Sequence, residues 1–333
     1  MARHSIELGP QSLRGYFSRD AAPTVTIDPG DTVECQTLDA GWGALEQARP
    51  FVPPVAFEPR DRVRDFGHAL TGPIAVRGAR PGMTLEIRFR TIRVGKWGWS
   101  AGPALPSQID LRLGLGPGSS GPPPVITVPT GDFVTLWELE ADRNIARTQA
   151  GLSLTTRPFL GVVGMPANEP GAQTTFPPRF CGGNMDCKEL VEGSSLFLPV
   201  AVDGGLLSLG DGHAVQGDGE VAGPALACPM ERVEIEIHLH ADLNLTMPRA
   251  RTPIGWLTFG FHKDVNEAWA QATDEMLKLM GELYDLPKKS ALALASLVVD
   301  LRITQVVNGP CGVHAVLPHG AIAGIESRIG SVL

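Results

Sequence analysis

Two short stretches concentrate the side chains able to do chemistry. The first is Gly182-Gly-Asn-Met-Asp186. Its two glycines let backbone approach another group closely, and an amide and a carboxylate follow at once. The second is Gly210-Asp-Gly-His-Ala-Val-Gln-Gly-Asp-Gly-Glu220, eleven residues with two Asp, one Glu, one His, one Gln and four Gly. Each stretch has a plain structural reading: a turn for the first, and two D-G turns bounding a short hairpin for the second. Each also has a chemical one, in which imidazole and carboxylates ride on backbone that glycine admits into sharp corners. His213 is then a metal ligand or a general base, because its ordinary pKa lies nearest neutrality. The spacing does not fit a calcium-binding EF-hand, whose third and fifth loop positions would fall on His213 and Val215.

The remaining polar candidates are weaker. His238-Leu-His240 sets two imidazoles on one face of a strand, a spacing that can bind zinc, but Glu234 and Glu236 beside them fit a solvated face. His4, His262, His314 and His319 stand in no motif. Cys187 adjoins the first stretch, and a free cysteine is more often a small buried hydrophobe than a nucleophile. No phosphate-cradling G-x-x-x-x-G-K-[ST], no G-x-G-x-x-G opening a helix and no G-x-S-x-G elbow occurs.

The elements that must position these residues are mostly strands. Thr24–Ile27 and Thr32–Leu38 alternate around the turn Asp28-Pro-Gly-Asp31, which reads as a hairpin leading to Asp39. Gly72–Arg77 and the long period-two run Thr84–Val94 repeat the scheme around Gly78-Ala-Arg-Pro-Gly82, with Leu85, Ile87 and Phe89 on one face. Residues 231–240 alternate likewise, with Val233, Ile235, Ile237 and Leu239 inward. Residues 113–124, rich in Gly and Pro, read as a surface loop. A helix starts at Asp264, with Glu267 completing a capping box and Val265, Trp269, Ala272, Met276, Leu279, Met280 and Leu283 forming its apolar stripe. A second helix follows over about 290–300, then a strand over 302–307 and the turn Asn308-Gly-Pro310.

Composition agrees with a β-rich globular chain. Of 333 residues, 43% are hydrophobic and 19% charged, and 39 Gly with 29 Pro favour many turns over long helices. The length suits one large domain, 1–333, or two intertwined β-rich subdomains of about 1–150 and 151–333. The formal net charge of −8 gives no electrostatic reason to bind nucleic acid or an anionic membrane. No run of about 18 apolar residues spans a bilayer. The charged N-terminal stretch has no apolar signal region, and five widely spaced cysteines (35, 181, 187, 228, 311) form no disulfide framework. Reduced thiols and a cytoplasmic location are the expectation.

From Gly182 to Glu220 the sequence resembles the acetamidase/formamidase family. The matching stretches are FPPRFCGGNMDCKEL and GSSLFLPVAVDGGLLSLGDGHAVQGDGEV, joined upstream by HALTGPIAVRGARPGMTLEI and IDPGDTVECQTLDA and downstream by DVNEAWAQATDEMLKLM and ASLVVDLRITQVVNG. The resemblance covers about 24–320 and departs from the family pattern at Pro81-Gly82-Met83 and in the loop at 113–124. It implies an α+β, β-rich fold with a β-sandwich-like core and a late helical hairpin. It also implies hydrolysis of a short aliphatic amide to carboxylate and ammonia, a homo-oligomer, and a divalent metal, zinc before calcium or magnesium. A hydrolase of another C–N substrate, or a noncatalytic ligand-binding descendant, are the alternatives.

On that resemblance, Asp39, His68, Asp186 and His213 are expected to converge as metal ligands, with Glu220 as general acid and base. Asp218 and Gln216 are expected to orient them, while Asn184 and the backbone N–H groups of Gly182 and Gly183 hold the substrate's developing oxyanion.

Overall fold

Strand alternation settles the layers. In the computed structural model, which describes residues 1–43, 60–61, 63–102, 112–114 and 134–323, nine strands form one sheet. Their order is Arg3–Ile6, Thr32–Thr37, Met230–His240, Thr84–Val94, Ser195–Pro199, Arg249–Thr252, Gly255–His262, Cys311–Pro318 and Asp300–Gln305. Thr84–Val94 and Met230–His240 pair antiparallel with Phe89 opposite Ile235 and Ile87 opposite Ile237. Their apolar faces meet Ile74, Leu160, Val163, Leu207 and Leu209 of a second, twelve-stranded sheet in one continuous core. Two sheets face to face over a shared apolar layer make a β-sandwich, as expected.

At the centre of the larger sheet lies Leu207–Val215, buried along nearly its whole length. On one edge it pairs with Phe159–Gly164. On the other it pairs first with Leu70–Val76 and then with Leu226–Ala227, with a register shift inside each pairing. Gly210 and Gly212, read above as turn glycines, are strand residues here. A Cβ on Gly210 would lie 2.4 Å from the Ala69 carbonyl oxygen, and one on Gly212 2.5 Å from that of Cys228. Glycine at these places lets neighbouring strands close in.

The two expected hairpins are corrected. Both turns exist: Asp31 N–H donates to Asp28 C=O at 3.1 Å, and Met83 N–H to Arg80 C=O at 3.1 Å. Yet the strands flanking each turn belong to different sheets. Val25–Ile27 pairs parallel with Leu70–Val76, whereas Thr32–Thr37 pairs with Arg3–Ile6 and Met230–His240. Each turn is an arch between layers. A period-two pattern fixes which face is buried but not which neighbour supplies the hydrogen bonds.

Helices Val265–Tyr284 and Lys288–Val298 cover the outer face of the nine-stranded sheet, over Trp256, Val313, Ala315 and Leu317. The stripe runs through Ala268, Ala272, Met276, Leu279, Met280 and Leu283, while Val265 and Trp269 stay 37% and 43% exposed. Close approach explains the shift: a Cβ on Gly260 would lie 2.0 Å from the Ala268 carbonyl oxygen, leaving no room for a large side chain. Asp264 caps the helix by accepting Asn266 N–H, but its own N–H donates to His262 Nδ1, the place expected of Glu267. The second helix and its strand sit about two residues earlier than expected, at Lys288–Val298 and Asp300–Gln305. The Gly/Pro-rich loop lies outside the described residues from 115 onward. All five cysteines are free, four of them buried.

Candidate active site

The polar cluster begins inside that central buried strand. Asp211 and His213 are 4% and 2% exposed, in a position where unpaired polar groups are costly. They meet each other: His213 Nε2 is 3.2 Å from Asp211 Oδ1. Asp186 follows the short strand Gly182–Asn184, which pairs with Phe159–Gly164, and its N–H donates to Gly161 C=O at 3.2 Å. Glu220 comes from the loop after the central strand, its Oε1 accepting Ala225 N–H at 3.1 Å. Asp186, Asp211 and Glu220 all have φ near +50°, at 49°, 54° and 46°. L residues rarely take that region, and such strain collects at functional sites.

Hydrogen bonds fix the state of His213. Gln216 Nε2 donates to Asp186 C=O at 2.7 Å, which turns its Oε1 toward His213 Nδ1, 3.0 Å away. That oxygen only accepts, so Nδ1 carries a proton. Nε2 then faces two carboxylates, Asp211 Oδ1 at 3.2 Å and Glu220 Oε1 at 4.0 Å. A neutral ring would aim a lone pair at anions, so either a ring proton or a cation belongs there.

Asp186, His213 and Glu220 present donor atoms that all lie within 4.8 Å of one another, a group able to hold a metal ion. Asp186 Oδ1 and Glu220 Oε2 are buried without a hydrogen-bonding partner among the described residues. Gly161 forms the floor. A Cβ there would lie 2.5 Å from Asp186 Oδ1, 2.6 Å from Asp211 Oδ2 and 2.9 Å from His213 Cε1. Glycine thus leaves a small cradle open between two carboxylates and an imidazole. Two ligands on one tetrahedral zinc lie about 3.4 Å apart, near the Asp211–His213 separation, and oxygen with imidazole nitrogen suits a borderline divalent ion. The residues fit a divalent metal of the kind that the family resemblance implies.

The electrostatics agree. Burial pushes the Glu220 carboxyl well above its usual range, and Asp186 and Asp211 push it further. Burial also raises Asp186, against the pull of His213. Burial works against Asp211 ionising, yet His213 and His68 together hold its carboxyl below the ordinary value. Burial opposes the imidazolium of His213, but Asp211 and Asp186 outweigh it and raise the ring's pKa. The cluster carries more acid than its imidazoles neutralise, a state that a divalent cation relieves.

The other expected site residues divide. His68 is brought in: its Nε2 lies 3.9 Å from Asp211 Oδ2, its Nδ1 2.8 Å from Thr175 Oγ1, and burial lowers its pKa. Asp39 comes near enough for its charge and that of Asp211 to repel, but its carboxylate is already wrapped. It accepts Gly41 N–H and Trp99 Nε1–H, both at 3.0 Å, and Gly43 N–H at 2.6 Å. Gln216 lies between His213 and Asp186, bonding to both. Asn184 is buried, and its Oδ1 has no hydrogen-bonding partner among the described residues. Gly182 and Gly183 are strand residues with φ of 89° and 104°, and a Cβ on Gly182 would strike the Val163 carbonyl oxygen at 2.4 Å. Asp218 is not brought in. It pairs with Lys188 at 3.0 Å, partly exposed, because Gly219 turns the chain between it and Glu220.

Sequence reasoning left three participants unassigned. Asp211 had a signal, since it stands two before His213 on a strand. Gly161 had none, and Asn308 stood out only as a turn residue at the end of a family-like stretch. Asn308 Nδ2 donates to Asp186 Oδ2 from the far end of the chain. His238 and His240 pair with Glu236 and Glu86 on the partly exposed sheet face, away from this cluster. Cys187 is fully buried, and burial pushes its thiol pKa far up.

Comparison with known proteins places the chain. The family model for the acetamidase/formamidase family matches residues 126–322, which include Asp186, Asp211, His213, Glu220 and Asn308. A protein of Schizosaccharomyces pombe (strain 972) carrying the formamidase name is 26% identical over 255 residues, 63% of this chain and 60% of its own length. An acetamidase of Mycolicibacterium smegmatis is 28% identical over 268 residues, 66% of this chain and 64% of its own. The chain therefore covers less than two thirds of the length of these curated relatives. A solved structure from Thermoanaerobacter tengcongensis, described as an acetamidase/formamidase, superposes with a TM-score of 0.78 at 25% identity, covering 96% of both chains. With the family model spanning more than half of the sequence, this chain belongs to the acetamidase/formamidase family.

Proposed function

We propose that the protein is an amidase that hydrolyses a short aliphatic amide to a carboxylate and ammonia with a divalent metal, zinc by ligand chemistry. The relatives named acetamidase and formamidase support the reaction class. The observation that carries the metal is His213 Nε2, aimed at Asp211 and Glu220 while Nδ1 keeps its proton for Gln216.

Asp186 and His213 would hold the ion, with Asp211 beside His213 Nε2 and His68 on the far oxygen of Asp211. Bound there, such an ion supplies a Lewis acid for the carbonyl and a water acidic near neutrality. The chain does the rest. Glu220, whose carboxyl burial raises well above its usual range, would give its proton to the departing nitrogen and later take one back. Gln216 holds His213 in the tautomer that leaves Nε2 free. The orphan atom of Asn184 is Oδ1, an acceptor. It suits the N–H of a primary amide better than an oxyanion, which revises the role assigned from sequence. No helix among the described residues is long and apolar enough to cross a membrane. A cytoplasmic homo-oligomer acting on a small soluble amide is the setting we propose.

The test is ammonia release from formamide, acetamide, propionamide and urea by chelated and zinc-restored protein, beside Glu220→Gln. Zinc-restorable release from a short amide is expected. Glu220→Gln should keep its zinc and lose about 10²–10⁴-fold in kcat. Loss of zinc instead would make Glu220 a ligand, and absence of release from every amide would end the amidase reading.

A further inference from the structure

Asp186 uses its two oxygens differently. Oδ1 has no hydrogen-bonding partner among the described residues and looks into the cradle above Gly161. Oδ2 accepts Asn308 Nδ2, whose amide also reaches Asn184 C=O at 3.4 Å. Asn308 belongs to the turn joining Asp300–Gln305 to Cys311–Pro318, an edge hairpin of the other sheet. One fully buried side chain shapes that turn. Gln305 Oε1 accepts Val307 N–H at 2.9 Å and Asn308 N–H at 3.0 Å, while its Nε2 donates to Pro310 C=O at 2.9 Å. The same strand end grips the loop of Glu220: Gly219 N–H donates to Thr304 C=O and Val306 N–H to Gly219 C=O, both at 3.0 Å. A single hairpin therefore reaches two acidic groups of the site.

We infer that Asn308 is a positioning residue for the metal. By occupying Oδ2 it fixes the rotation of the Asp186 carboxylate and leaves Oδ1 as the oxygen offered to the ion, and Gln305 holds Asn308 in place to do so. The inference rests on the metal-amidase reading above. Partners that orient a ligating carboxylate are worth about 10–100-fold in metal affinity. Asn308 is half-buried on a turn, so its truncation removes little packing.

The experiment compares wild type with Asn308→Ala and the isosteric Asn308→Asp. It measures the zinc dissociation constant by competition with a chromophoric chelator, the visible spectrum of the cobalt-substituted protein, and the melting midpoint after chelation. Expected are zinc binding weaker by about 10–100-fold in Asn308→Ala, displaced cobalt bands in both variants, and an unchanged metal-free midpoint. Wild-type affinity and spectrum in both variants would overturn the inference. So would a drop in affinity matched by a lower metal-free midpoint, which would mark a structural role alone, or a wild-type chain that takes up neither ion. Ammonia release from the same preparations separates the two readings. Metal effects without amide turnover would sink the amidase and spare Asn308, whereas turnover with no metal effect would sink Asn308 alone.

Discussion

Asp211 Oδ1 stands 3.2 Å from His213 Nε2, and one glycine separates the two residues along a buried strand. The other Asp211 oxygen lies 3.9 Å from His68 Nε2, so a single carboxylate spans imidazoles from two segments. Its low pKa follows from those rings, which outweigh the cost of burial. Asp211 is the anion around which the site is charged, while Asp186 and Glu220 are pushed toward their protonated forms.

Replacing that anion tests the arrangement. Asp211→Asn keeps volume and removes the charge that raises the His213 pKa. Amide turnover should fall by about 10²-fold or more. The metal-free melting midpoint should fall, because His213 and His68 lose the buried counter-charge that they pair with. Ammonia release and calorimetry on the chelated protein check both halves. A variant that keeps wild-type turnover would remove Asp211 from the chemistry of the site.

Gly161 offers a steric test of the cradle. A methyl there would lie 2.5 Å from Asp186 Oδ1 and 2.6 Å from Asp211 Oδ2, well inside contact distance. Gly161→Ala should therefore abolish metal uptake and lower turnover by about 10²-fold or more, since small displacements at a reacting centre are that costly. Overpacking should cost about 1–3 kcal/mol of stability. Elemental analysis of the folded variant decides it: full metal occupancy would mean that the ion sits elsewhere.

Much of this was legible in the sequence, and the misses have physical causes. Alternation at Leu85, Ile87 and Phe89 and at Val233, Ile235 and Ile237 gave the buried faces correctly, because that pattern is set by burial alone. Pairing partners were not legible, since the turns at Asp28–Asp31 and Arg80–Met83 serve an arch as well as a hairpin. Within the site, Asp186, His213, Gln216 and Glu220 could be named because two local motifs carry them. His68 is named only through the family resemblance, not by a local motif, and Asn308 reaches the cluster through strand order from 122 residues after Asp186. Asp218 looked equivalent to Glu220 by type and spacing, and a positive-φ glycine between them sends one outward to Lys188.

The thiol beside the first motif should prove dispensable. Cys187 is wholly buried, and burial raises its pKa far beyond the range where thiolate forms near neutrality. Cys187→Ala should keep amide turnover within about threefold and cost about 1–2 kcal/mol for the lost packing. Ammonia release at saturating substrate, with a urea melt, measures both. A loss of 10³-fold with the fold intact would restore the nucleophile reading.

Acid stability should depend on a buried histidine outside the acidic cluster. His314 is fully buried in Cys311–Pro318, its Nδ1 2.8 Å from Thr304 Oγ1 and its Nε2 without a partner among the described residues. Burial depresses its pKa to about 4, despite the nearby carboxylates Asp218 and Glu189, while Arg302 and Lys188 lower it further. The folded chain thus refuses a proton that the unfolded chain, with an ordinary value near 6.5, accepts. Between those values the unfolded state binds more protons, so stability rises with pH and is lost as pH falls from 6.5 toward 4. At about 1.4 kcal/mol per pH unit the ceiling is a few kcal/mol. His314→Asn cannot titrate there. Other groups, His68 and His213 among them, also change charge in this range, so the informative quantity is the difference between the two proteins. The melting midpoint of wild type should drop more steeply than that of the variant from pH 6.5 to 4, and the two should run parallel above pH 7. Parallel curves throughout would show that His314 is protonated in the fold and that its Nε2 has a partner.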